Sequence, residues 1–172
     1  TKNNKRFMIL VAIGSNLESK QFGAPYKNCL EAIKLIKRQF DVKKVSDFYK
    51  TEPIPKSSQP WFVNAVIEII TEYEPKKILT ELLVLEKYFK RERKNKNEPR
   101  VIDLDLISYN EIIMNTNSLI LPHPRMHTRK FVIKPICDID PLWRHPLLNK
   151  TAEDLLKKLA NQRISNINQV NL

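Results

Sequence analysis

The sequence predicts an α+β fold, a ferredoxin-like βαββαβ sandwich whose antiparallel sheet has its helices on one face and the active site on the other. Three observations lead to this prediction. The hydrophobic patterns follow the order strand, helix, strand, strand, helix, strand. Each helical pattern begins at a proline, Pro25 or Pro75, a residue that suits the first turn of a helix. The segment from Pro99 to Ile107 has the two-residue period of a strand with one polar face.

The first half of the chain contains the first four of these elements. Phe7 to Ile13 is a continuous apolar run, which indicates a buried strand that ends at a turn over Gly14-Ser15-Asn16. Pro25 to Phe40 has apolar residues at helical spacing. We further expect a second strand at Val42 to Lys50, a proline-rich loop at Thr51 to Pro60 and a third strand at Trp61 to Thr71.

The second half begins with a helix that starts at Pro75, and a charged tract over 90–97 separates it from the strand with Asp103 and Asp105. Further on we expect a short strand at Ile112 to Met114, a short helix around Arg129 to Ile133, and a last helix capped by Thr151 and Asp154. A single domain then spans residues 1–160. Residues 161–172 are rich in Asn and Gln, which indicates a polar tail or a linker.

The composition excludes two common designs of nucleotide site. The chain has only two glycines, Gly14 and Gly23, so it contains neither a P-loop nor a G-x-G-x-x-G loop. Its formal net charge of +11 fits a polyanionic ligand: nucleic acid, an anionic membrane surface or nucleotide phosphates. Two cysteines are too few for a disulfide framework, and no apolar run is long enough to span a membrane. We therefore expect a cytoplasmic protein.

Asp103 and Asp105 are the candidate metal ligands. Residues two apart on a strand share one face and are about 6.6 Å apart, so two carboxylates can converge on two Mg²⁺ ions about 3.5–4 Å apart. An isolated D-x-D pair is more often a solvated strand edge, but several arginines nearby favour a metal–phosphate site. His123 and His127, four residues apart, leave a zinc site as a weaker alternative.

Other residue types in the sequence suit an anionic, ring-containing substrate. Guanidinium groups pair well with phosphate oxygens, and an amide side chain can pair with the edge of a heterocycle. Aromatic side chains can stack on a flat ring, although each taken alone is more often part of a core. The candidates are Arg91, Arg93, Arg100 and Arg129 for phosphates, Asn64 for the heterocycle edge, and Phe62 and Phe131 for stacking.

The order and spacing of several motifs resemble the 6-hydroxymethyl-7,8-dihydropterin pyrophosphokinase family of folate biosynthesis. Each motif alone is weak, but together they span roughly residues 7–146. They are Ala12-Ile13-Gly14-Ser15-Asn16-Leu17, Phe48-Tyr49-Lys50-Thr51, Gln59-Pro60-Trp61-Phe62-Val63-Asn64-Ala65, Glu86 with Arg91 and Arg93, Pro99-Arg100-Val101-Ile102-Asp103-Leu104-Asp105, and Leu121-Pro122-His123-Pro124-Arg125-Met126 with Arg129 and Phe131.

The resemblance implies Mg²⁺-dependent transfer of a pyrophosphoryl group from ATP to the pterin hydroxymethyl oxygen, with release of AMP. It implies two Mg²⁺ ions on Asp103 and Asp105, and catalytic arginines at Arg91 and Arg93. The other implied contacts fall into two sets. Glu86, Arg100, His123 and Arg129 lie at the nucleotide, and Thr51, Phe62, Asn64 and Phe131 lie at the pterin.

Two other functions stay open at this point. Basic ferredoxin-like sandwiches also bind RNA through an open sheet, although that function favours exposed aromatic residues where this strand has Asp103 and Asp105. A metal-dependent phosphodiesterase shares the pair of acids but needs further ligands and an activated water. With the pyrophosphokinase function we expect small-molecule substrates, no nucleic acid and no membrane. Fusion or proximity to dihydropteroate synthase or dihydroneopterin aldolase would also fit the family.

Overall fold

The computed structural model describes residues 7–89 and 99–168. Within them the chain forms a six-stranded antiparallel sheet, a two-stranded ribbon, four α-helices and a short 3₁₀ turn. The α+β class and the antiparallel sheet are thus confirmed. The elements are β1 Ile9–Ser15, α1 Pro25–Ile36, β2 Asp41–Val45, β3 Tyr49–Thr51, β4 Phe62–Ile70, α2 Pro75–Tyr88, β5 Asp103–Tyr109, β6 Met114–Asn115, β7 Ile120–Leu121, the 3₁₀ turn Met126–Thr128, α3 Lys130–Ile139, α4 Ala152–Lys157 and β8 Ile164–Asn166.

The sheet has the strand order β5-β1-β4-β3-β8, and β2 pairs with the other half of β4. The buried apolar run of the sequence is β1, which lies between β4 and β5 as expected for a strand covered on both faces. Cross-strand partners point to the same face of a sheet. Gly14 of β1 is the partner of both Asn64 of β4 and Asp103 of β5, so these three residues form one row across the sheet.

One face of the sheet packs against α1 and α2. Pro25 and Pro75 occupy the first turns of these helices, as the sequence predicts. Their apolar stripes meet the side chains that β1, β4 and β5 direct to this face, and together they form the larger core. Buried members include Ile33 and Ile36 of α1, Ile78 and Leu82 of α2, and Val11, Ile67 and Leu104 of the sheet.

The opposite face is not fully open, contrary to the predicted arrangement of all helices on one side. The predicted short helix around Arg129 extends to Ile139, and together with α4 it covers one end of this face. The reason is a second apolar surface on the sheet: Leu10, Val66 and Ile107 need a partner and pack against α3. The described residues leave the row Asn64–Gly14–Asp103 and its surroundings uncovered.

One further prediction differs from the structure. The second strand, expected at Val42 to Lys50, is divided into β2 and β3, because the regular register with β4 stops at Val45 and resumes at Tyr49. Within the predicted polar tail or linker at 161–172, β8 pairs with β3, and the assignment of the segment as a tail or linker stays a prediction. The N-cap at Thr151 is confirmed by a 3.2 Å hydrogen bond from the Asp154 amide to Thr151 Oγ1.

Candidate active site

A cleft opens on the uncovered part of the sheet. Its floor is formed by β1, β4 and β5, and its walls are the loop after β3 and the segment from His123 to Val132. Nine of the twelve residues predicted from the sequence line this cleft. They are Thr51, Phe62, Asn64, Arg100, Asp103, Asp105, His123, Arg129 and Phe131.

The row across the floor separates an amide from a carboxylate. Neighbouring strands are about 4.8 Å apart, so Asn64 and Asp103, two strands apart, are separated by about 10 Å. Gly14 lies between them and has no side chain. A Cβ atom at Gly14 would be 2.7 Å from Asn64 Oδ1, closer than real Cβ atoms approach an oxygen. Glycine at this position therefore keeps the floor open beside the Asn64 amide.

Asn64 is held in place by the neighbouring strand. Its Nδ2 donates a 2.6 Å hydrogen bond to Thr51 Oγ1, which joins β4 to β3. Both residues are buried against the rest of the protein but reach the cleft. Because one amide hydrogen is used by Thr51, the remaining donor and acceptor capacity of Asn64 has a fixed orientation. A fixed amide of this kind can pair with the edge of a heterocyclic ring.

At the other end of the row, Asp103 accepts a 2.8 Å hydrogen bond from Arg100 Nη1. The Arg100 guanidinium also lies 5.8 Å from the centre of the Phe62 ring. Asp105 is two residues further along β5, on the same face as Asp103, and both are partly exposed to the cleft. Among the described residues, no group of three or more His, Cys, Asp or Glu side chains could hold a metal ion.

This donor set fits Mg²⁺. Magnesium prefers oxygen ligands and usually takes one or two carboxylates from the protein, with phosphates and waters in its other positions. Asp103 and Asp105 offer carboxylates on one rigid strand face, and the cleft beside them has room for phosphate groups. A zinc site receives no support from the histidines: His123 lines the cleft, whereas His127 packs against His145 with ring centres 5.7 Å apart.

His123 and Arg129 line the cleft near Asp103 and Asp105, and the His123 amide donates a 2.8 Å hydrogen bond to the Ile107 carbonyl of β5. Burial, followed by the charges of Arg129 and Arg125, lowers the pKa of His123 to about 4. Its Nδ1 accepts a 3.1 Å hydrogen bond from the Arg125 amide, so the proton of the neutral ring is on Nε2. His123 is therefore a neutral hydrogen-bond donor near pH 7. The Arg129 guanidinium lies 5.5 Å from the centre of the Phe131 ring.

The chain was compared with known proteins and protein families. The family model described as 7,8-dihydro-6-hydroxymethylpterin-pyrophosphokinase (HPPK) matches residues 10–141, which include all nine of the predicted residues that line the cleft. The chain belongs to the HPPK family. The resemblance seen in the sequence motifs is thereby confirmed.

Named relatives agree with this assignment. The 2-amino-4-hydroxy-6-hydroxymethyldihydropteridine pyrophosphokinase of Haemophilus influenzae is 34% identical over 160 residues, which cover 92% of this chain and 96% of that protein. The folic acid synthesis protein of Pneumocystis carinii is 36% identical over 91% of this chain but only 20% of its own length. The chain thus spans about a fifth of that longer relative.

A solved structure shows the same fold. The Plasmodium falciparum HPPK-DHPS protein superimposes with a TM-score of 0.69 over 91% of this chain and 46% of that chain, at 14% sequence identity. At this identity the likeness concerns the fold alone. The part of that protein that this chain matches is less than half of its length.

Of the three remaining predicted site residues, the structure describes only Glu86. Arg91 and Arg93 lie outside the described residues, so their roles stay predictions. Glu86 is on α2, on the other side of the sheet, where it is 2% exposed. Its Oε1 accepts a 3.0 Å hydrogen bond from the Leu104 amide, between Asp103 and Asp105. This contact fits a structural role for Glu86, in which it holds the backbone of β5 between Asp103 and Asp105.

Asn16 is a supporting residue that the sequence did not identify. Its Oδ1 accepts a 2.7 Å hydrogen bond from the Arg100 amide, and its Nδ2 donates to Gln59 Oε1 at 3.0 Å. The amides of Asn16 and Leu17 both donate to the Arg100 carbonyl. Asn16 therefore joins the end of β1 to the loop before β4 and to the start of β5. The signals for Asn16 in the sequence were the Gly14-Ser15-Asn16 turn and the motif from Ala12 to Leu17.

Proposed function

We propose that this chain transfers a pyrophosphoryl group from ATP to the hydroxymethyl oxygen of 6-hydroxymethyl-7,8-dihydropterin, giving AMP and the pterin pyrophosphate in folate biosynthesis. The observation that best supports this is the row Asn64–Gly14–Asp103. At one end is an amide that can pair with a heterocycle, and at the other a carboxylate that can bind a metal ion, about two strand spacings away. A flat heterocycle and the phosphates attached to it after the reaction need sites at this kind of separation. The family and the names of the relatives support the same activity.

The pterin is assigned to the β3–β4 end of the cleft. There Asn64 pairs with the polar edge of the ring, while Thr51 fixes the Asn64 amide. Phe62 on the floor and Phe131 on the wall provide aromatic surfaces for stacking. The hydroxymethyl group then extends over Gly14 toward Asp103. Glycine is the residue that leaves this path free.

The triphosphate is assigned to the β5 end of the cleft. In the proposed reaction the hydroxyl oxygen attacks the β-phosphorus, the bond from that phosphorus to the α-phosphate oxygen breaks, and AMP leaves as the hydroxyl proton is released. Asp103 and Asp105 would hold two Mg²⁺ ions, which neutralise the triphosphate and polarise the β-phosphorus when bound. Arg100 and Arg129 supply positive charge, and neutral His123 donates a hydrogen bond to a phosphate oxygen.

Several finer predictions remain part of the proposal. Arg91 and Arg93 are proposed as catalytic cations on sequence grounds. The strand order β5-β1-β4-β3 with α1 and α2 on one face supports a ferredoxin-like unit, to which α3, α4 and β8 are added. Fusion to a further folate-pathway domain is supported by relatives and solved structures that are longer than this chain, one of them about five times and another about twice its length.

None of the described helices has the length and hydropathy needed to cross a membrane. A cytoplasmic location stays a proposal.

One assay tests the proposed activity. The protein is incubated with ATP, Mg²⁺ and 6-hydroxymethyl-7,8-dihydropterin, and AMP is measured. We expect AMP only when the pterin is present. Asp103→Ala should abolish its formation, whereas Asp41→Ala, which removes an exposed acid on β2, should not. AMP formed without pterin, or unchanged in Asp103→Ala, would contradict the proposal. Retention on single-stranded RNA without any AMP formation would favour the RNA-binding alternative.

A further inference from the structure

The segment after α4 holds a wall of the cleft through the side chain of Gln162. Its Oε1 accepts a 2.8 Å hydrogen bond from the Lys130 amide, and its Nε2 donates a 2.7 Å hydrogen bond to the Thr128 carbonyl. These two peptide groups flank Arg129 on either side. The side-chain amide of Gln162 therefore accepts one and donates one hydrogen bond to the backbone around Arg129, as a peptide group of a neighbouring strand would.

The other peptide groups around Arg129 are bonded within their own segment. The Arg129 amide donates to the Met126 carbonyl, and the Arg129 carbonyl accepts from the amides of Val132 and Ile133. Arg129 is the N-cap residue of α3, but its side chain makes no capping hydrogen bond. The first amide of α3, that of Lys130, is thus satisfied by a residue from more than thirty positions away. Gln162 supplies the cap that Arg129 cannot.

Gln162 is itself fixed by the elements on both sides of it. Its amide donates to the Leu159 carbonyl just after α4, and the Arg163 carbonyl accepts from the Glu52 amide beyond β3. Two residues later, β8 pairs with β3, with Ile164 opposite Thr51. The segment therefore connects the wall with Arg129 and Phe131 to the strand with Thr51.

A second cavity of about 290 Å³ lies next to the cleft. The two share the loop after β3 and Phe131, and the second cavity is also lined by Gln162 and its neighbours Asn161, Arg163 and Ile164. Because Phe131 borders both cavities, the contact that holds the start of α3 helps to decide where its ring lies.

We propose that Gln162 is a positioning residue that fixes Arg129 and Phe131 in the cleft by bridging Thr128 and Lys130. The inference rests on the proposed function, because it assigns Arg129 to phosphate and Phe131 to the pterin. It gives the predicted polar tail a part in substrate binding. Gln162 itself does not line the cleft and acts only through the residues that it holds.

The first test compares Gln162→Ala with Ser165→Ala, which removes an exposed hydroxyl from the same segment. We expect Gln162→Ala to reduce kcat/KM for both substrates by about tenfold, since misplaced binding groups lose much of their effect. Ser165→Ala should match the unmodified protein. If Gln162 had only a structural role, Gln162→Ala would change the melting temperature but leave kcat and both KM values of the folded protein unchanged. That result would overturn the proposal.

The variant Gln162→Glu adds a readout that a purely structural part would not affect. Its carboxylate can accept from the Lys130 amide but cannot donate to the Thr128 carbonyl. We therefore expect Gln162→Glu to have a lower kcat/KM than the unmodified protein at pH 8, where the carboxyl group is ionised. A kcat/KM equal to that of the unmodified protein at pH 8 would contradict the bridging geometry.

Amide hydrogen exchange separates this inference from the proposed function. Loss of the bond to Gln162 should accelerate exchange of the Lys130 amide at least about tenfold in Gln162→Ala, and leave it unchanged in Ser165→Ala. Unchanged Lys130 exchange overturns the bridge whether or not the protein forms AMP. Faster exchange in a protein that forms no AMP would support the bridge and refute the proposed function instead.

Discussion

Arg100 donates a 2.8 Å hydrogen bond to Asp103, the residue proposed to bind Mg²⁺. A divalent cation and Arg100 therefore compete for the same carboxylate. We predict that Arg100→Ala binds Mg²⁺ or Mn²⁺ about threefold more tightly in the absence of nucleotide, because a partly exposed ion pair contributes less than about 1 kcal/mol. Turnover should nevertheless fall at least about tenfold, since Arg100 is lost as a phosphate ligand.

Titration calorimetry with Mn²⁺ and steady-state kinetics measure these two opposite effects. Arg38→Ala, which removes an exposed positive charge after α1, is the control for the general loss of charge. It should change neither quantity. Weaker metal binding in Arg100→Ala would show that Arg100 supports the metal site instead of competing with it.

The two glycines of the chain should respond differently to alanine. A Cβ atom at Gly14 would approach Asn64 Oδ1 to 2.7 Å, so Gly14→Ala must displace the Asn64 amide. We predict that pterin affinity falls by at least about tenfold, because a displaced amide no longer matches the ring edge. Nucleotide affinity should change less than twofold. Fluorescence titration with the pterin and with an ATP analogue measures both affinities.

Gly23→Ala is the matched comparison. Gly23 has φ +97° in an open turn, where the nearest atom to a new Cβ is 3.8 Å away. Alanine there costs about 1 kcal/mol of folding free energy through backbone strain, without contact with the cleft. We expect a lower melting temperature and unchanged substrate affinities. Equal loss of pterin affinity in both variants would show that Gly14 has no specific role in pterin binding.

The sequence was most informative where a motif and a periodic pattern coincide. The apolar run of β1, the prolines of α1 and α2, and the alternation around Asp103 and Asp105 each predict their element correctly, since these signals are local. The row Asn64–Gly14–Asp103 depends on strand order and register, which local patterns do not specify. The sequence therefore identified Asn64 and Asp103 as candidates, but not the row that joins them through Gly14.

Local patterns predicted α4 and the start of α3, but not the full length of α3, its packing on the sheet or the strand β8. The helix α3 contains Pro135, which breaks a simple helical signal, and its length follows from the apolar residues of the sheet that it covers. The strand β8 has only three residues, Ile164-Ser165-Asn166, and of these only Ile164 is apolar. It forms because β3 offers an unpaired edge, a tertiary cause that its own composition does not reveal.

Glu86 is predicted to act on the strand and not on the nucleotide. Glu86→Gln keeps an oxygen that can accept from the Leu104 amide, so we expect a KM for ATP within about twofold of the unmodified protein. Glu86→Ala leaves this buried amide without its acceptor, which should cost about 2 kcal/mol of folding free energy and reduce kcat. Chemical denaturation and steady-state kinetics test both variants. A KM for ATP raised more than tenfold in Glu86→Gln would instead indicate direct contact with the nucleotide.

His145 is predicted to make the folded protein less stable in mild acid. Burial, with a smaller contribution from His127, lowers the pKa of His145 to about 4. The unfolded chain therefore binds a proton at His145 near pH 6.5, and the folded protein does so only near pH 4. The contribution of His145 to the free energy of unfolding is constant above about pH 7 and falls as pH is lowered. At pH 5.5 the loss is about 1 kcal/mol.

The variant His145→Asn isolates this effect. The Nδ1 atom of His145 accepts hydrogen bonds from the amides of Leu147 and Leu148, and an asparagine oxygen can take its place. The variant keeps these bonds but cannot titrate. Urea denaturation at pH 7.5 and 5.5 should show a decrease in the free energy of unfolding that is about 1 kcal/mol smaller in His145→Asn than in the unmodified protein. An equal decrease in both proteins would mean that His145 is protonated as readily in the folded state as in the unfolded chain.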